Sequence, residues 1–293
     1  MGVAALAVLA IPLASLGASA GSRSLAKTGG GPFIYWTDDL TGSSRIGRAE
    51  LDGTQVRRKL IGGLPDFPCG VDVGGGHVYW GTDATAGAVG RANADGTHVR
   101  RRFIDGGTGV CGVATGPGHL YWANQDAVTP NTPSIGRAKL DGSRSNQGFI
   151  GSAKANFPCG VTAHGGDLYW GNDADNTPGA STIQRARLDG THVKEAFIAD
   201  PFVDDPCGVA VDAKHVYWTN QDLGTIGRAN LEGSHAKRDF IDVGGTPCGL
   251  AIYRGHLYWG DFGPDVGRAN LDGSQVRKHF IDGLGAVCGV AVG

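Results

Sequence analysis

A tyrosine–tryptophan pair recurs six times, at Tyr35-Trp36, Tyr79-Trp80, Tyr121-Trp122, Tyr169-Trp170, Tyr217-Trp218 and Tyr258-Trp259, and these pairs contain all six tryptophans. The six cysteines recur in step, as Cys-Gly-Val or Cys-Gly-Leu, at Cys69, Cys111, Cys159, Cys207, Cys248 and Cys288. An Ile/Val-x-Arg triplet begins at Ile46, Val89, Ile135, Ile183, Ile226 and Val266. Each triplet's segment closes on an acidic residue before glycine, at Asp52, Asp95, Asp141, Asp189, Glu232 and Asp272. A unit of about 44 residues with four strand-like segments is the pattern of a propeller blade.

The spacings predict the topology. Cysteine to tyrosine is 10 residues in all five internal cases, and triplet to acidic residue is 6 and acidic residue to the next Phe-Ile or Leu-Ile is 8 in all six copies. Only two connections vary: tyrosine to triplet, from 8 to 14 residues, and isoleucine to the next cysteine, from 7 to 9. In an up-and-down blade both variable connections fall on one face, here called the upper face. Loops on a rigid scaffold carry variation and function. The Asp-Gly before the outer strand predicts a tight hairpin with both central residues at φ > 0. With 51 glycines in 293 residues, a helical bundle is excluded. The first unit lacks an inner strand, and the last residues supply one with nothing after it. The expectation is therefore an all-β, six-bladed β-propeller of four-stranded antiparallel blades. Its ring is closed by the C-terminal strand completing the N-terminal blade, which avoids open sheet edges.

The stretch Tyr35-Trp36-Thr37-Asp38, followed by Ile46-Gly47-Arg48-Ala49-Glu50-Leu51-Asp52-Gly53, resembles the low-density lipoprotein receptor class B (YWTD) repeats. The resemblance runs from Phe33 to Val292, covers all six units, and implies a six-bladed propeller of the TolB-like class. It also implies a structural role for the motif's aspartate, which bridges neighbouring backbone. The matching positions are Asp38, Thr82, Asn124, Asn172, Asn220 and Asp261, with Thr82 the weak substitute. No EGF-like module accompanies the repeats, so a bacterial-type exported protein is expected and receptor-type ligand uptake is not carried over.

The organisation expected is a secretory signal peptide over 1–20, a flexible linker over 21–31 and the propeller over 32–293. Val3 to Leu16 is a small-apolar run ending in Ala18-Ser19-Ala20, which reads as an export signal, although Met1-Gly2-Val3 carries no basic residue. Gly17-x-Ser19-x-Gly21 matches a nucleophile elbow but sits in this leader, without the strand and helix that motif needs. The localisation expected is secreted or extracytoplasmic, and the state a monomer. A formal charge of −2 with no basic block gives no footprint for nucleic acid, and no apolar run is long enough to span a membrane.

The tyrosine and tryptophan rings are expected to fill the contacts between blades, and the triplet arginines (Arg48, Arg91, Arg137, Arg185, Arg228, Arg268) to make a hydrogen bond repeated in each blade. The lower-face histidines, His77, His119, His215 and His256, lie in separate blades and are not expected to bind metal. The upper loops form an acidic, asparagine-rich rim whose oxygens suit Ca²⁺ as well as solvated turns. The longest, Ala123 to Ser134 and Gly171 to Thr182, make that sector the candidate binding face, with Asp126, Asn131, Asp173, Asp175, Asn176 and Asp222. A protein, peptide or glycan would dock there. The cysteines form a candidate ring at the channel mouth. An even count in an exported chain favours disulfides, whereas sheets about 10 Å apart make adjacent bridging borderline. Small buried fillers are expected first, with neighbouring-blade disulfides and a soft-metal site as alternatives. The functional expectation is a non-catalytic binding or structural module without a cofactor. The alternative is a channel enzyme, a lactonase, other hydrolase or lyase, with a metal on the axis. The near-identical apolar inner strands, such as Gly160-Val161-Thr162-Ala163, speak for the module, because no nucleophile, base and orienter converge there.

Overall fold

The computed structural model describes residues 31–40, 42–107, 109–125, 133–151, 154–173 and 180–293. The chain divides after Gly31, and the propeller is the unit Pro32–Gly293. The described residues build six four-stranded antiparallel sheets arranged as the blades of a six-bladed β-propeller. Five blades run inner to outer in chain order, as in blade two: Phe67–Gly74, His77–Asp83, Ala88–Asn93, Arg100–Asp105. Blade one takes its inner strand, Val290–Val292, from the chain end, where Ile34, Tyr35 and Trp36 pair with Val292, Ala291 and Val290. This closure is the one expected from the repeat phase.

The Tyr-Trp pair is why the blades pack. Adjacent side chains of a strand point to opposite faces, so each pair serves two interfaces. Tyr35 lies in one cluster with Trp80, Tyr79 with Trp122, and Tyr121 with Trp170. Tyr169 meets Trp218, Tyr217 meets Trp259, and Tyr258 meets Trp36 across the closure. The middle residue of the triplet makes room for the indole: a Cβ on Gly47, Gly90, Gly136, Gly227 or Gly267 would strike the tryptophan of its own blade.

What recurs at the triplet arginine is a stacking contact, while the expected inter-blade hydrogen bond from the arginine is seen for Arg48 and Arg185. The guanidinium lies over an aromatic ring, 3.9 Å above Phe149 for Arg137 and 3.9 Å above Phe240 for Arg228, a contact worth about 0.5–2 kcal/mol. Blade one has Leu60 where the others have phenylalanine, and there Arg48 stacks on Phe33 instead, at 3.9 Å. Arg48 and the Tyr35 hydroxyl both donate to the carbonyl of Ala94 in the next blade. In blade four Arg185 makes that inter-blade bond alone, to Leu231.

The lower hairpins differ from expectation. In the Asp52-Gly53 turn, Gly53 donates to the Glu50 carbonyl and Glu50 to the Thr54 carbonyl, with Gly53 at φ 84° while Asp52 is not at positive φ. This is a three-residue connection, a type I turn followed by a left-handed glycine. Asp52 stays on the ordinary side because its carboxylate accepts from the Thr54 N–H and hydroxyl, and the same pattern recurs at Asp95, where these bonds hold the carboxyl below its usual pKa.

Candidate functional site

The site is built where the six inner strands converge. In blades two, three, four and six the Cys-Gly pair occupies a bulge: in blade two Pro68 pairs with Thr82 and Val71 with Trp80, so three steps of the inner strand oppose two of its neighbour. A bulge re-aims the side chain it carries. The glycine allows the strands to close. A Cβ on Gly70 would overlap the carbonyl of Cys111, one on Gly112 that of Cys159, and one on Gly289 that of Cys69, completing the ring.

This convergence corrects the expectation that adjacent bridging is borderline. The 10 Å separation describes sheet faces and does not hold at the axis, where glycine backbones touch. Cys69–Cys111 and Cys159–Cys207 are disulfides between neighbouring blades, with Cα atoms 4.9 and 5.0 Å apart, inside the usual range for a bridge. Cys248 and Cys288 are free and buried. The cysteines are thus more than inert fillers. All six form one buried cluster, against which Phe67 packs.

Below the cysteines the channel narrows. A cavity of about 50 Å³ lies between the cysteine ring and an apolar ring of Val71, Val113, Val161, Val209, Leu250 and Val290. Beneath that ring a wider cavity of about 220 Å³ opens, whose polar side chains are Asp72, Thr115 and Thr162. Asp72 is half-buried, desolvation raises its pKa, and it accepts from both the N–H and the hydroxyl of Thr115 at 2.6 and 2.8 Å. Among the described residues, the groups of three or more closely placed metal-ligating atoms consist of cysteines.

Of the candidate rim residues, Asp126, Asn131, Asp175 and Asn176 lie outside the described residues. Asp173 and Asp222 are described, and the structure brings them together around a residue that sequence reasoning missed. Asp205 precedes Pro206-Cys207 on the upper face, and its carboxyl is pushed up to about 7, first by burial and then by Asp173, Asp222 and Asp204. The loop carrying it is held by the motif position of blade five: Asn220 Oδ1 accepts from the Asp204 N–H at 3.0 Å. Asp38 and Asp261 act alike on the loops entering their own blades, accepting from the N–H groups of Gly285 and Thr246. This is the backbone-bridging role implied by the resemblance. The doubled acid Asp204-Asp205 is unique among the six loops before a cysteine, a signal that could have been read.

The upper face also carries an aromatic pair. Phe67 of blade two and Phe262 of blade six stack with ring centroids 6.3 Å apart, reaching across blade one. The exposed large apolar side chains of the described residues are Leu40, Phe202, Leu223, Phe262 and Val276. The first four lie in upper-face connections, and only Val276 lies in a lower hairpin.

No family model matches the chain, and no curated protein matches it. Among solved structures, a chain of the crystal structure of a nidogen/laminin complex is similar with a TM-score of 0.71 at 17% identity, covering 89% of this chain and 98% of that one. A crystal structure of the computationally designed Ika8 protein is also similar, at a TM-score of 0.48 and 10% identity, covering 84% and 73% of the two chains. The first likeness bears on the fold alone: a six-bladed propeller.

Proposed function

We propose that the chain is an exported, non-catalytic module that binds a protein partner on its upper face. The observation that carries this is the segregation of Leu40, Phe202, Leu223 and Phe262 to the face that also carries Asp173, Asp204, Asp205 and Asp222. Isolated exposed apolar residues are ordinary; several on one face beside charge mark an interaction surface. The acids favour a partner with a basic patch around an apolar centre. The nidogen/laminin neighbour, whose structure is that of a protein complex, fits a propeller used for binding. Disulfides belong to oxidising compartments, which supports export together with the leader read from residues 1–20. The axial cavities favour this reading over the channel enzyme. The upper one is lined by cysteines, glycines and aliphatic side chains, and the single carboxylate in the lower one is already bound by Thr115.

The test is capture of partners from the native cell envelope by the wild-type chain, the triple variant Phe202→Ser/Leu223→Ser/Phe262→Ser, and Val276→Ser as a lower-face control. The expected result is a protein retained by wild type and Val276→Ser and lost with the triple variant. Equal capture by all three would refute the assignment of the face.

No helix of the described residues is long and apolar enough to cross a membrane.

A further inference from the structure

Neighbouring sulfurs are in contact all round the ring, and they are not all bonded. Around the ring from Cys69 the order is Cys111, Cys159, Cys207, Cys248, Cys288 and back. Two neighbouring pairs are disulfides. The remaining gaps are 3.4 Å from Cys111 to Cys159, 2.7 Å from Cys207 to Cys248, 2.7 Å from Cys248 to Cys288 and 3.0 Å from Cys288 to Cys69. Each free thiol therefore touches one sulfur of a disulfide as well as the other thiol.

We propose that the cysteine ring is a single redox site in which the thiol pair migrates by thiol–disulfide exchange between neighbouring blades. The Cys248 thiolate attacks Cys207 Sγ, the Cys207–Cys248 bond forms, and the Cys159–Cys207 bond breaks. The electron pair leaves on Cys159, which takes up the proton that Cys248 lost. In the same way Cys288 attacks Cys69 and releases Cys111. Each step trades one S–S bond for another and consumes no oxidant or reductant. Loss of the last two thiols, with a low-molecular-weight disulfide as the oxidant, closes the ring as three disulfides in either of two alternate phases. The site is buried between blades, so the exchange changes which blades are cross-linked and leaves the rest of the disc as it is. Burial, and the neighbouring Cys288, push the Cys248 thiol up, so exchange slows in acid and the distribution can be trapped there.

The ring makes a parity prediction. Every neighbour bond joins one member of the set Cys69, Cys159, Cys248 to one member of the set Cys111, Cys207, Cys288. The two thiols left over must therefore always come one from each set. The oxidised chain is titrated with a phosphine to two thiols per molecule, incubated at mildly alkaline pH, quenched in acid and labelled with a maleimide in denaturant. Peptide mapping is expected to find label at all six positions, with each doubly labelled molecule carrying one label from each set and cross-links only between ring neighbours. In Cys288→Ser, which has one thiol left when two disulfides form, label is expected at Cys69, Cys159 and Cys248 and at neither Cys111 nor Cys207. Label confined to Cys248 and Cys288 in the wild type would overturn the proposal, and that arm decides alone should the variant not fold. Doubly labelled molecules with both labels in one set, six thiols that resist oxidation, or a stoichiometric soft metal held by reduced thiols would each overturn it as well.

Discussion

Replacing Gly70 by alanine puts a methyl group where the next blade's backbone already lies. The added Cβ would sit 2.9 Å from the Gly112 Cα, 3.1 Å from the Val113 nitrogen, and closer still to the Cys111 carbonyl oxygen. None of these is the end of a flexible side chain, so relief requires moving an inner strand. Blade two is held by its neighbours on both sides, and the displacement must spread around a closed ring. Overpacking of this kind costs about 1–3 kcal/mol and more where backbone must shift. At roughly 2–4 °C per kcal/mol for a domain near this size, Gly70→Ala should lower Tm by about 5–10 °C. The control is Gly148→Ala on the outer edge of blade three, where a Cβ meets nothing within 4 Å. There the loss of unfolded-state freedom makes the change neutral or mildly stabilising. Calorimetry of the oxidised proteins reads both. Equal Tm values for Gly70→Ala and Gly148→Ala would refute the claim that Cys-Gly recurs because the inner strands touch.

Two further predictions test the polar framework. Asp205 holds its proton to about pH 7 in the folded chain against 3.8 as its reference value. The unfolded chain therefore releases that proton first, and the contribution, present below about pH 4, is lost as pH rises to about 7. Denaturant midpoints of wild type should fall over that window, and Asp205→Asn should flatten the fall; an unchanged profile would rule out a buried, protonated Asp205. Asp38 is buried and accepts from Arg45 Nε and Nη2, both at 2.8 Å, and from the Gly285 N–H. Asp38→Ala strands the Arg45 charge and should cost about 3–5 kcal/mol, measured by urea unfolding, whereas a loss under about 1 kcal/mol, the scale of an exposed pair, would show that the pair is dispensable.

The fold was legible because its causes are local and repeated. One Tyr-Trp pair must face two interfaces, and one glycine must lie under each indole in five of the six blades, so the same residues appear at the same phase. Features that depend on convergence were less legible. The approach of Gly70 to Cys111 is a property of six strands meeting at an axis, and an average sheet separation misjudged it. Turn chemistry misled at Asp52-Gly53, where a side-chain bond to Thr54 holds the aspartate on the ordinary side of φ. The triplet arginine read as a repeated hydrogen bond, because its stacking partner lies on the outer strand, out of reach of the pattern within the triplet. Asp173 and Asp222 were read as rim residues, but Asp205, the carboxyl they surround, was missed. It belongs to the other variable connection, between outer strand and cysteine, where no motif draws attention.

Binding through the upper face is the central claim, and the most direct measurement is amide hydrogen exchange of the chain with and without the captured protein. Slowed exchange is predicted in the connections around Leu40, Phe202, Leu223 and Phe262, with the lower hairpin at Val276 unchanged. Protection centred on the lower hairpins, with the upper connections exchanging as in the free chain, would contradict it.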